Sequence, residues 1–163
     1  VKTSPYNAPC SNLRLSQHFA GDSRLSSANM VSTLELSQSL IDEMIAYVDQ
    51  RAPLEACGLL AGKAARAEKM LGVLNQAQSP VRFVMDPYEQ LHAFDWIDSN
   101  GLDLVGIFHS HPTGPETASP TDILEAAYAV VHVILSYTGV QWKARGFWIE
   151  DGKASEVTLQ VTE

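Results

Sequence analysis

Two histidines one residue apart, His109 and His111, close the apolar stretch DLVGIFHSH, and a proline follows at once. On an extended strand, residues two apart point to the same side, so both rings aim at one volume while Ser110 faces away. Imidazole nitrogen is a good zinc ligand, and catalytic zinc usually takes three protein ligands plus water. After Pro112 the chain runs through a short loop holding Gly114 and Pro115, then restarts at Ser119-Pro120-Thr121-Asp122. Asp122 falls in the first turn of the helix expected there, and it would complete a set of three ligands. The same residues are also an ordinary helix start, with Ser119 as cap, Pro120 at the first position and Asp122 at the third. The chain repeats that device at Asp86-Pro87-Tyr88-Glu89, where no chemistry is expected. Spacing alone leaves both readings open.

The elements that must position these residues follow from periodicity. Leu40, Ile41, Met44, Ile45 and Val48 recur at helical spacing, which predicts a helix over about 38–51 with Ser39 and Asp42 as a capping box. CGLLAG reads as a buried strand, and AEKMLGVLN and RFVMD as two more. A helix starting at Asp86 should turn Leu91, Phe94 and Ile97 inward and stop near Asn100-Gly101. DLVGIFHSH is apolar through most of its length, as a central strand is. SPTDILEAAYA predicts a helix and VHVILSY a buried strand. WKARGFWIE and ASEVTLQV flank Asp151-Gly152 as a hairpin. Strands and helices mix without a strict alternation, so the expectation is one α/β domain on a mixed central sheet flanked by helices. Residues 1–33, rich in Ser, Asn and Pro, form an expected flexible extension, and residues 34–163 the domain. Met30 is a candidate natural start.

Composition narrows the function classes. A net charge of −8 and few, scattered Lys and Arg argue against a nucleic-acid partner, which calls for a basic face. No apolar run reaches the roughly 18 residues of a membrane-spanning helix. Two cysteines, Cys10 and Cys57, make neither a disulfide framework nor a Cys-rich metal site, and the expected setting is cytoplasmic. Cys57 reads as a core thiol. His92 and His132 read as structural.

His109-x-His111-Pro112, six further residues and Ser119-x-x-Asp122 resemble the signature of the JAMM zinc metalloproteases (the MPN-plus, or Mov34-PAD, type), in a compact prokaryotic form. That family also carries a glutamate on or before a buried strand, and Leu54-Glu55-Ala56-Cys57-Gly58-Leu59-Leu60 fits the place. The resemblance spans residues from about 34 to the C-terminus. It implies a cytidine-deaminase-like JAMM/MPN fold, with Zn2+ held by His109, His111 and Asp122. It implies that Glu55 is the catalytic base and that Ser119 donates to the oxyanion. It implies hydrolysis of the bond after the C-terminal Gly-Gly of a ubiquitin-like or sulfur-carrier (ThiS/MoaD-like) protein. Without the resemblance, Glu55 beside Pro53 would read as a solvated loop charge. Rival readings are a catalytically inactive MPN-type binding scaffold, a RadC-like protein associated with DNA repair, and a structural zinc site, which would prefer a fourth protein ligand.

Overall fold

The computed structural model describes residues 30–163. The expected extension lies outside the described residues up to position 29. Its last residues join the domain: Val31 packs against the core, and the first strand begins at Thr33.

Seven strands and three helices follow in the order β1 (Thr33–Ser37), α1 (Gln38–Asp49), β2 (Cys57–Lys63), β3 (Arg66–Val73), α2 (Pro87–Ser99), β4 (Asp103–His111), α3 (Pro120–Glu125), β5 (Val131–Tyr137), β6 (Trp142–Glu150) and β7 (Lys153–Thr162). The sheet is mixed, as the pattern predicts. It does not stay open. β1 pairs in parallel with β7 from Thr33↔Thr158 to Ser37↔Thr162, and touches β3 at Glu35↔Arg66. The strands thus close into a ring, β1-β3-β2-β4-β5-β6-β7. Evenly flanking helices are not what the chain builds, because the principal helix contacts fall on β1 to β4.

Those contacts explain why β2 and β4 are apolar on both sides. α1 buries Leu40, Ile41, Met44 and Val48 against one face, together with Leu60 and Phe108. α2 buries Ala93 and Ile97 against the other, with Leu59 and Ile107. Leu91, expected inward, is exposed; Ala93 takes the inner position. The cap of α1 is Ser37, whose hydroxyl accepts from the Leu40 N–H, while Ser39 only hydrogen-bonds Ser37. Asp86 caps α2 as expected, accepting from Tyr88 and Glu89. The Asp151-Gly152 turn has positive φ at both residues (52° and 70°), which a two-residue hairpin of this hand requires.

Two predicted elements differ. RFVMD does not form a strand; its one ladder contact is the bridge Asn75↔Met85. α3 ends at Glu125, short of the expected AAYA, because the chain must reach β5 by Val131. Among the described residues, no helix is long and apolar enough to cross a membrane.

Candidate metal centre

The centre is built from the C-terminal end of β4. Ile107, His109 and His111 face the α2 side, and Phe108 and Ser110 face the α1 side, as strand alternation demands. Cys57 of β2 lies opposite His109 in the ladder, and Ile134 and Ser136 of β5 lie beside His109 and His111. Both histidines are buried, at 0% and 2% exposure.

The loop after Pro112 folds back over His111. A Cβ on Gly114 would lie 3.0 Å from the His111 Cβ, so a glycine permits the close pass. The next carbonyl, Pro115 O, accepts the Nδ1–H of His111 at 2.7 Å and the Ser136 hydroxyl at 3.0 Å. That bond fixes the ring with Nε2 towards the centre, where it carries a proton for Asp122 or, once that proton is lost, a lone pair for a metal.

α3 delivers Asp122. Ser119 Oγ accepts from the Asp122 N–H at 3.1 Å, and Asp122 Oδ2 accepts from the Ser119 N–H at 2.7 Å. This is a full capping box. The same carboxylate lies 3.3 Å from His109 Nε2 through Oδ1 and 3.3 Å from His111 Nε2 through Oδ2. Capping and ligation are therefore not rivals: the cap orients the carboxylate that faces the histidines.

Does this triad fit a metal ion? The two Nε2 atoms are 3.0 Å apart, and donor atoms of His109, His111 and Asp122 all lie within 4.8 Å of one another. Atoms bound about 2.0–2.1 Å from one tetrahedral zinc would be about 3.3 Å apart. Two imidazole nitrogens and a carboxylate crowded to that spacing favour a cation between them. The triad can hold a metal.

Glu55 stands just before β2 and is 4% exposed, not solvated. Its N–H donates to Ser79 O at 2.9 Å, and its carbonyl accepts from Asn75 Nδ2 at 3.0 Å. Oε1 sits 3.9 Å from His111 Nε2, and Oε2 has no partner among the described residues. Burial first, and then the charge of Asp122, push this carboxyl up to about 7; His111 opposes them. Burial would also raise Asp122, but the bonds from His109 and His111 override it and hold that carboxyl well below the usual range. Burial lowers His109, while on His111 the bonds to Asp122 and Pro115 outweigh burial and raise it. Two carboxyls that flank one imidazole are driven in opposite directions, the usual mark of separate acid–base roles.

Sequence reasoning missed three residues that matter. Ser110, set aside as facing away, accepts the Ala56 N–H on Oγ at 2.8 Å, while its own N–H donates to Ala56 O. It pins the residue after Glu55 to β4. Asn75 is buried and makes four bonds, donating to Glu55 O and Arg82 O and accepting from Ala77 and Val84 N–H. It ties the 76–84 loop to Glu55. Phe83, carried by that loop, stacks on His109 with centroids 4.5 Å apart and planes 28° apart. The Asn between a strand and Ser-Pro was the available sign of a turn hub. Cys57 is a fully buried thiol, pushed up to about 12 by burial and then by Glu55, as a core residue should be.

Comparison with known proteins places the chain among relatives. Residues 37–149 match the model of prokaryotic homologs of the JAB domain. A probable TtuB-protein conjugate cleaving protease from Thermus thermophilus is 36% identical over 129 residues, covering 78% of this chain and 82% of that one. A desampylase from Pyrococcus furiosus is 36% identical over 133 residues, covering 80% and 91%. A CysO-cysteine peptidase from Mycobacterium tuberculosis is 30% identical over 137 residues, covering 82% and 94%. A protein from Desulfitobacterium hafniense solved in solution superposes with a TM-score of 0.72 at 32% identity, covering 80% of this chain and 93% of its own. A JAB1/MPN domain protein from Archaeoglobus fulgidus shares the fold, with a TM-score of 0.52 at 22% identity, covering 80% and 99%.

Proposed function

The chain belongs to the family of prokaryotic homologs of the JAB domain, and from that premise we propose that it is a zinc-dependent metallopeptidase. It hydrolyses the peptide or isopeptide bond after the C-terminal Gly-Gly of a ubiquitin-like or sulfur-carrier protein. The relatives named for conjugate cleavage, desampylation and removal of cysteine from CysO support that substrate class. The observation that carries the mechanism is the convergence of His109, His111 and Asp122 beside a buried glutamate with one carboxylate oxygen that has no partner among the described residues.

His109, His111 and Asp122 would hold the ion. Zinc, when bound, acidifies water and polarises the scissile carbonyl. Glu55 accepts a proton on Oε2 from the attacking water and returns it to the leaving amine. Its burial suits both halves of that duty, because it keeps the carboxyl near neutrality. Ser119 spends only its lone pair on the cap, so its O–H remains free to donate to the developing oxyanion. Phe83 covers His109 and keeps water off that side of the site. A reducing, cytoplasmic setting completes the reading, in keeping with the free, buried Cys57.

The test is Glu55→Gln on a sulfur-carrier protein extended beyond Gly-Gly. Cleavage should cease while zinc content stays near that of the parent protein. Undiminished cleavage by that variant would remove Glu55 from the role of base.

A further inference from the structure

A cavity of about 360 Å³ opens beside the metal triad. Phe83 and Met85 of the loop, Ile107 of β4, Asp122, Tyr128 and His132 are among its walls. The volume is typical of a small-ligand site and exceeds what one side chain needs. Asp122 borders both the triad and the cavity, so whatever fills the cavity lies next to the reacting atoms.

His132 gives the cavity a chemical preference. It is paired with Ile107 across the β4–β5 ladder and is 4% exposed. Among the described residues its Nε2 has no hydrogen-bond partner, and the Tyr128 backbone lies by the ring as an acceptor for the other nitrogen. A neutral imidazole whose N–H is used in this way presents a lone pair at Nε2. A buried acceptor without a partner is costly, and a donor on a ligand would relieve that cost. Nothing in the mechanism above uses this nitrogen.

The occupant follows from the substrate, and here the inference rests on the proposed function. Two glycines lie on the acyl side of the scissile bond. Neither has a side chain, so neither can fill an apolar cavity next to Asp122. The residue on the leaving side can. We infer that this cavity receives the side chain of the residue whose nitrogen leaves, and that it selects an apolar side chain, above all one with a hydrogen-bond donor, over glycine and over acids. Acids are disfavoured for two reasons. The His132 lone pair and Asp122 both repel a carboxylate, and Arg82, the cation among the lining residues, is already paired with Glu125 at 2.6 Å.

The test appends one residue to the Gly-Gly end of a ThiS/MoaD-type sulfur-carrier protein. Glycine, methionine, cysteine and aspartate are compared by kcat/KM with the zinc-loaded full chain. Methionine and cysteine should exceed glycine by about tenfold or more, the scale of a filled apolar pocket, and aspartate should fall below glycine. Ala127→Trp, on the exposed rim of the cavity, should pull the methionine-to-glycine ratio towards unity. His132→Phe should lower cysteine relative to methionine. Equal rates for all four substrates, or ratios that neither variant moves, would overturn the pocket assignment and leave the Gly-Gly reading standing. Cleavage of none of them by protein carrying zinc would instead overturn the Gly-Gly reading.

Discussion

Ser119 shows how one side chain serves two ends. As an acceptor it holds the Asp122 N–H; as a donor it remains available to substrate. Ser119→Ala should therefore do two separable things. Loss of the cap should cost about 1 kcal/mol in urea unfolding, and loss of the donor should slow turnover by about 10²-fold, with zinc retained. A stability loss without a rate loss would leave Ser119 as a cap alone. Asn75→Ala should be harsher on stability, about 2 kcal/mol or more, because it leaves the buried carbonyl of Glu55 without its donor. Its kcat should also fall, since the loop and Glu55 lose their common anchor. At this scale the sequence was legible for types and illegible for burial. The pair His109 and His111 could be read from alternation alone. Glu55 could not: its backbone is held by Asn75 and Ser79, 20 and 24 residues away, and only the family resemblance pointed to it.

Among elements, β4 acts as a ruler. Its α2 side presents the two histidines, and its α1 side presents Ser110, which fixes the backbone that carries Glu55. Ser110→Ala touches neither substrate nor metal. It should nevertheless lower kcat severalfold and cost about 1–3 kcal/mol, because the buried Ala56 N–H loses its partner; unchanged kinetics at full zinc content would show that Glu55 needs no such anchor. RFVMD misled for a related reason. Its apolar residues look like strand, but they find a side-chain amide instead of a neighbouring strand, and turn to stack on His109 and line the cavity. Local pattern cannot tell a sheet partner from an asparagine. Helix starts were more legible, because Asp86 and Ser119 cap with residues adjacent in the chain.

For the molecule as a whole, the response to acid is shared among buried groups of opposite sign, and His132 carries one part of it. Burial, and then His109, push His132 down to about 4, so the fold favours its neutral ring. Between about 6.5 and about 4 the unfolded chain binds the proton that the folded chain refuses. The contribution of this residue is thus full above about 6.5 and falls as pH drops towards 4, by about 3 kcal/mol. Glu55, pushed up to about 7, acts in the opposite sense over the same range, so the check is a difference: between pH 7.5 and 4.5 the urea midpoint of the metal-free parent should fall relative to that of His132→Phe. Mixed α/β character could be read from the order of patterned segments, but ring closure could not. It depends on pairing Thr33–Ser37 with Thr158–Thr162, segments more than 120 residues apart with no local sign of each other.

That last pairing bears on how the protein is made. Among the described strands, the one that leaves the ribosome earliest, β1, is hydrogen-bonded along its length by the latest, β7. During synthesis β1 has β3 for company at a single register point, and an unfilled edge on its other side. The ring can close only after Thr162 has emerged, and contacts of such long sequence separation form slowly. The nascent chain must therefore carry an open sheet edge from the emergence of β1 until that of β7, and a chain lacking β7 would keep that edge for life.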